Sequence, residues 1–392
     1  MLLEFHILQN HSPANLNRDD MGAPKSCFFG GAQRARISSQ CLKRSIRRSD
    51  CFERALDEAK VPLGTRTRKL PALVGKQVEK LLLENGVDTE LAAQLREVAE
   101  DKASGFGNEK GNEQKRSEGK DPRTAQTMFL TDNDIAAVAQ VIGAKALEIA
   151  QDKPDKAVKE FEKVKAKELQ DTKELREWRP VTVDVALFGR MVTSPAFQDV
   201  EASMQVAHAL STHRVEMEFD YFTAVDDLSK SEGHDEMGAD MLGDVEFNSA
   251  CFYKYFSLHV DGLLENLDGA KEVAQTVIPA FLEASLVTTP SGKQNTFAAH
   301  NLPSAVLVEA RPHPQPVSYA NAFEKPIRGG QDGLVTESVK ALVSHVEKVN
   351  RIYEPETVSR FWMSLDGEDA PDGVEVVGSL KALKEKVREL LG

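Results

Sequence analysis

The sequence predicts an α+β protein built on a ferredoxin-like, or RRM-like, sheet that is split by a helical insertion. Three observations predict this. Leu3, Phe5 and Ile7 alternate with Glu4, His6 and Leu8, the period-2 signature of a strand covered on one face. Residues 57–179 then read mainly as helix, with heptad-like apolar spacing from Leu73 to Leu83 and from Ile135 to Ile149. Strand patterns resume only afterwards, so that the elements outside the helical stretch run strand, helix, strand, strand, helix, strand.

After the first strand comes a loop rich in turn formers: Ser12-Pro13, Asn15, Asn17, Gly22-Ala23-Pro24 and Gly30-Gly31. Ser38-Ser39 supplies an N-cap for a helix running to about Leu56, with Leu42, Ile46 and Cys51 or Phe52 as its apolar stripe. Lys43 with Arg47, and Arg44 with Arg48, form i,i+4 pairs on the remaining surface. Within the helical stretch the Gly-rich polar segment Ser104 to Lys120 is expected to be mobile. The later strands are expected at Val181, Val183, Val185 and Leu187, at Met204 to Leu210, at Phe252 to Val260 and at Ala305 to Val308, with a helix at Ala270 to Leu286. Between Asp226 and Glu246 the chain is too polar to pack, and the flanking Tyr221-Phe222 and Phe247 suggest a loop carried on a stalk. No internal repeat is evident.

At 392 residues the chain can build a sizeable core without staples. Cys27, Cys41, Cys51 and Cys251 form no CxxC pair and no zinc-ligand spacing, which fits free thiols in a reducing compartment. No stretch approaches 18 uninterrupted apolar residues, so a cytoplasmic protein with no membrane partner is expected.

The formal net charge of −13 argues at first against a nucleic-acid partner. The distribution argues otherwise. From Arg18 to Arg48, the cations Arg18, Lys25, Arg34, Arg36, Lys43, Arg44, Arg47 and Arg48 face only Asp19 and Asp20. A Gly-Gly loop lets backbone approach a phosphate, a helix start at Ser38 presents N–H groups, and basic residues one turn on neutralise the next phosphates. The same pattern also suits a solvated basic helix face with Arg18 paired to Asp19 or Asp20. No code for reading bases is evident.

A second basic candidate is a helix from about Asp155 to Leu169, where Lys156, Lys159, Lys163 and Lys167 share a face and could steer DNA. Glu160, Glu162 and Glu168 interleave with them, as on an ordinary solvated helix. Enzyme signatures are missing: there is no GxxxxGK[ST], HExxH or GxSxG, and the histidines have no ligand spacing, so neither a metal nor a cofactor is expected. Asp19-Asp20 and Asp226-Asp227 keep a metal-dependent ribonuclease as the alternative, although adjacent acids do not face each other. An acidic oligomeric structural protein without nucleic acid is a third reading.

The strings HSPANLNRDDMGAPKSCFFGGAQRARISSQCLKRSIRRS (His11 to Ser49), ALFGRMVTS (Ala186 to Ser194), SMQVAHALSTHRV (Ser203 to Val215), DYFTAVDDL (Asp220 to Leu228) and YANAFEK (Tyr319 to Lys325) resemble the CasC family, the crRNA-binding backbone subunit of type I-E CRISPR Cascade. The resemblance is weak in the helical stretch and after about Asn350. It implies an RRM-like palm (1–56 and 180–392), a helical finger insertion (57–179) and a thumb hairpin at about 216–248. It implies that Arg18, Lys25, Ser38, Gln40, Lys43, Arg44 and Arg47 hold crRNA phosphates. Met191, which periodicity alone would assign to core filling, and Phe222 would wedge beside bases at the thumb. The implied partners are crRNA, target DNA paired to the guide, other Cascade subunits, and further copies of the chain placed head to tail along the RNA. One departure stands out: the expected thumb tip carries Glu232, Asp235, Glu236, Asp240 and Asp244 against Lys230, which disfavours phosphate and suits a neighbour's basic face or solvent.

Overall fold

A computed structural model describes residues 1–107, 122–177, 179–192, 194–224, 241–365 and 370–392. The first stretch forms β1 (Leu2–Ala14), β2 (Ser26–Phe29), β3 (Ala32–Ile37), α1 (Ser39–Arg47) and α2 (Asp50–Glu58). The middle stretch forms β4 (Thr65–Thr67), α3 (Leu70–Glu84), α4 (Thr89–Ser104), β5 (Met128–Leu130), α5 (Asp132–Asp152), α6 (Ala157–Lys163), α7 (Ala166–Gln170), α8 (Lys173–Arg176) and α9 (Val183–Phe188). Then come β6 (Met204–Val206), β7 (Ala209–Ser211), β8 (Glu218–Ala224), β9 (Met241–His259), α10 (Val260–Asn266) and α11 (Lys271–Val287). The chain ends through α12 (Gln294–Phe297), β10 (Ala305–Arg311), α13 (Gly333–Tyr353), β11 (Ser359–Ser364), β12 (Glu375–Val376) and α14 (Leu380–Glu389). It divides into two compact units, one of Met1–Leu56, Met204–Asp261 and Gln275–Gly392, the other of Asp57–Ser203 and Gly262–Ala274. Among the described residues no helix is long and apolar enough to cross a membrane.

The first unit is α+β, as the alternating patterns predict. Its sheet runs β12-β11-β10-β1-β9-β7-β3-β2, with β6 and β8 also on β9; β11 and β12 are parallel and the other pairs antiparallel. β1 lies between β9 and β10 and is buried on both faces, which corrects the expectation of a strand covered on one. On one face Phe5 meets Phe281 of α11, with Phe256 against the same ring. On the other, Leu8, Tyr253, Tyr255, Leu307 and Trp362 pack with Val339, Leu342 and Val346 of α13.

The polar side of β1 is buried because its charges are answered from within. Glu4 accepts from Tyr255, from the Val317 amide and from Arg311. Glu309 accepts from Arg311 and Tyr319, each at 2.8 Å, and lies 2.9 Å from Arg360. Burial pushes the Glu309 carboxyl up, but His6, Arg311 and Arg360 together hold it down at about 2. Glu4, His6 and Glu309 bring ligand-type atoms within 4.8 Å of one another. Two guanidinium groups already neutralise the two carboxylates, so the cluster is a structural charge network and a poor host for a cation.

The second unit is mainly helical. α3, α4 and α5 pack around Leu70, Val74, Val78, Leu95, Val138 and Ile142. Two corrections fall here. Val181 to Leu187 reads as alternating strand but forms α9, whose Val183–Leu187 are all buried; a helix buried all round shows no polar stripe. Gly189 at φ 75° ends it. The helix expected over Asp155 to Leu169 is broken at Val164 and Lys165, between α6 and α7, so Lys156, Lys159, Lys163 and Lys167 do not share one helix face. Of the segment expected to be mobile, Gly105–Gly107 is a buried 3-10 turn, and residues 108–120 lie outside the described residues.

Two further corrections concern the first unit. The helix expected to run from Ser39 to Leu56 is interrupted at Ser49, whose hydroxyl donates to the Ile46 carbonyl at 2.7 Å and lies 3.4 Å from the Phe52 amide that starts α2. The strand expected over Met204 to Leu210 is two short strands. The four cysteines are free, as expected.

Candidate nucleic-acid interface

The N-terminal basic run folds into a hairpin, a tight loop and a helix start, all in the first unit. β2 and β3 pair with Phe29 opposite Ala32, which leaves a two-residue turn in which Gly30 and Gly31 have φ of 58° and 73°. Only glycine takes both positions of such a turn without strain. A Cβ at Gly30 would fall 1.7 Å from the Glu324 carbonyl oxygen. The glycine pair thus closes a hairpin, with Gly30 against the YANAFEK segment and open space beside Gly31.

Arg34 is also structural. It is fully buried, and its guanidinium donates to the carbonyls of Phe29, Ser211, Thr212, Phe323 and Glu324 at 2.8–3.2 Å. Burial lowers its pKa.

Asn17 organises the loop. Its Oδ1 accepts the Ser38 amide at 2.8 Å, its carbonyl accepts the Lys25 amide at 2.8 Å, and the Lys25 carbonyl accepts the Arg36 amide at 2.9 Å. Asp19 turns inward on the same loop, its carboxylate accepting the Met21 and Ala23 amides at 2.9 and 3.0 Å. Arg18 has no ion pair with either aspartate, against that expectation, and its backbone bridges Pro24.

At the start of α1 the amides are mostly taken. Ser38 is the N-cap, its Oγ accepting from Cys41 at 3.3 Å, and the Ser39 amide donates to His208 Nδ1 at 3.0 Å. The N–H groups expected to face a phosphate are largely satisfied by protein, so anion binding here falls to side chains. Arg18 and Arg44 line one concavity of about 560 Å³ whose walls also include Asp19, Asp20, Asn17, Cys41 and Ser45. Burial pushes the Cys41 thiol up, opposed by a hydrogen bond from Ser45 and by the charges of Lys25 and Arg44, which places both cations beside it. Among the described residues Arg18, Lys25, Arg36 and Arg44 have no carboxylate partner, and Nε of Arg36 is buried without an acceptor.

The remaining predicted residues divide. Gln40 is exposed on the first turn of α1. Lys43 and Arg47 are half-buried on a flank of that helix, and burial lowers the Lys43 pKa. Arg48 is paired with Glu53 at 2.7 Å. Met191 is 93% exposed, which excludes core filling; it stands between Arg190, bridged to Val200, and Val192, whose amide donates to Asp199 at 2.7 Å. Phe222 lies on β8 directly opposite Gly243 of β9, and a Cβ at Gly243 would come 2.5 Å from its ring. Phe219 and Tyr221 of the same strand are exposed. The expected stalk is therefore a two-stranded arm, while its tip, including Asp226-Asp227, Lys230, Glu232, Asp235, Glu236 and Asp240, lies outside the described residues. Lys156, Lys159, Lys163 and Lys167 are exposed, and Lys163 is paired with Glu160 at 2.8 Å.

Sequence reasoning missed Asn17, Arg34 and His208 as organisers of this region. Asn17 and its partners Lys25 and Ser38 all lie within the basic run, whereas four of the five carbonyls that hold Arg34 lie far along the chain.

A wide, largely antiparallel sheet with a two-stranded arm, beside a loop and helix start that gather cations without carboxylate partners, defines an α+β protein. The chain belongs to the CT1975-like protein family, whose model matches residues 3–388. It is similar, at 28% identity and a TM-score of 0.79 over 100% of both chains, to a chain of a "CRISPR RNA-guided surveillance complex, pre-nicking". A chain of a second "CRISPR RNA-guided surveillance complex" shares the fold at 23% identity and a TM-score of 0.69, again over 100% of both chains. No curated protein matches. The resemblance to the backbone-subunit family of CRISPR Cascade is borne out.

Proposed function

We propose that this protein is a non-catalytic crRNA-binding backbone subunit of a type I-E Cascade surveillance complex. In this reading the first unit is an RRM-like palm, the second a helical finger, and the β8–β9 arm a thumb. The path β1, α1, β6 with β7, β9, α11, β10 supports the RRM-like assignment, since it repeats the strand, helix, strand, strand, helix, strand order. Copies of the chain bind head to tail along one crRNA, with other Cascade subunits at the ends, and the guide bases they display pair with target DNA.

The observation that carries the proposal is the set of cations around the start of α1 that no carboxylate neutralises. In a molecule with a net charge of −13, cations left unpaired along one groove are an arrangement that pairing with surface acids would otherwise remove. Arg18, Lys25 and Arg44 hold consecutive phosphates, with Ser38, Gln40, Lys43 and Arg47 along the same helix. Met191 and Phe222 are exposed apolar side chains that stack against bases. The rival ribonuclease rests on acid pairs such as Asp19-Asp20, whose adjacent side chains do not face each other, and Asp19 Oδ1 already accepts two backbone amides. Lys156, Lys159, Lys163 and Lys167 serve at most as a diffuse attractive surface for DNA.

The test is the salt dependence of crRNA binding. Removing one phosphate contact in Arg18→Gln or Arg44→Gln reduces the slope of log K against log salt by roughly 0.7. Unchanged slopes in both variants reject the proposal.

A further inference from the structure

We propose that Arg36 and His208 complete a phosphate-binding site with Lys25 at the start of α1, Arg36 supplying the charge and His208 a neutral N–H donor. This rests on the crRNA-binding reading above and adds two residues to it.

Arg36 and His208 meet because of strand register. Arg36 of β3 pairs with Leu210 of β7, and His208 lies two residues before Leu210, just outside the strand. His208 Nδ1 accepts the Ser39 amide at 3.0 Å. An imidazole that accepts through Nδ1 carries its proton on Nε2 when neutral, so the bond to Ser39 fixes the tautomer and leaves Nε2–H as a donor. His208 is exposed, and this donor has no acceptor among the described residues. Partial desolvation, with the charges of Arg36 and Lys25, lowers the His208 pKa and favours that neutral form.

Arg36 brings the complementary half. Its amide is tied to the Lys25 carbonyl at 2.9 Å, which brings the two residues together, and it has no carboxylate partner. Its Nε is buried and unpaired. Two cations and a neutral N–H donor on neighbouring positions suit the oxygens of a polyanionic backbone such as a run of phosphodiesters. The same donor set serves a ribose-linked backbone whatever its bases.

The experiment measures binding of a labelled single-stranded oligoribonucleotide to the full-length protein across a salt series, with the melting temperature of each variant recorded. Asn at position 208 retains an acceptor for the Ser39 amide but loses the outward donor, whereas Gln at 208 places an N–H near the position of Nε2. Arg36→Gln is expected to weaken binding about tenfold and reduce the salt slope by roughly 0.7. His208→Asn is expected to weaken binding about threefold at an unchanged melting temperature, and His208→Gln to recover part of that loss. Wild-type affinity and slope in both Arg36→Gln and His208→Asn, with binding weakened in Lys25→Gln and Arg44→Gln, overturn this site and leave the crRNA reading standing. If Lys25→Gln and Arg44→Gln also bind normally, the crRNA reading itself fails. If Arg36→Gln does not fold, His208→Asn decides.

Discussion

Asn17 Oδ1 accepts the Ser38 amide at 2.8 Å and so joins the loop that presents Arg18 to the cap of the helix that presents Arg44. Asn17→Ala leaves a partly buried amide without an acceptor. It is expected to cost about 1–2 kcal/mol in urea unfolding and to weaken RNA binding by loosening the loop. Asn17→Asp retains the acceptor and is expected to unfold near the wild-type midpoint, provided the hydrogen bond and not the shape of the side chain is what matters.

Arg34 fills every donor position of its guanidinium with carbonyls, one from its own hairpin and four from two distant segments. Arg34→Met retains volume but strands those carbonyls, and a loss of at least about 3 kcal/mol is expected, read as a lower denaturation midpoint or as loss of soluble protein. Arg34→Lys is expected to restore little, since one ammonium cannot reach all of them.

Lys254 is 2% exposed on β9, its Nζ donating to the Ser285 carbonyl at 3.1 Å, and burial lowers its pKa from 10.5 to about 7. The unfolded chain binds the extra proton between those values, so this lysine costs stability fully below pH 7 and progressively less as pH rises toward 10.5. Lys254→Met is therefore expected to raise stability by up to several kcal/mol at pH 6 and by little at pH 10. A gain independent of pH, measured by denaturation at both values, contradicts the assignment.

Gly243 gives the Phe222 ring its place on the arm. Gly243→Ala puts a methyl 2.5 Å from that ring and must displace it. Gly243→Ala and Phe222→Ala are expected to alter the ribonuclease footprint on bound crRNA in the same way. Phe222 is 39% exposed, so its truncation is expected to cost about 1 kcal/mol or less of stability.

Local chemistry was legible in the sequence, and long-range partnership was not. The alternation of Leu3, Phe5 and Ile7 identifies β1, and Ser38 identifies the N-cap of α1, because each signal lies within a few residues of its effect. The same strand's Glu4 and His6 read as a solvent face, yet they are buried against Glu309 and Arg311, some 300 residues later. The valines of 181–187 favour strand by side-chain shape, and full burial made them a helix. Within the basic run, composition identifies the cations, but only the tertiary structure separates Arg34, buried among carbonyls, from Arg18 and Arg44, which face a groove. His208 carried no local signal at all, since its bond to Ser39 spans 169 residues.

The place of β1 between β9 and β10 has a consequence for biosynthesis. Its two pairing partners, Met241–His259 and Ala305–Arg311, leave the ribosome last among the three. At roughly 5–20 residues per second, the apolar N-terminal segment waits on the order of 15–60 s for both neighbours. Truncations ending before Ala305 thus leave β1 with one open edge.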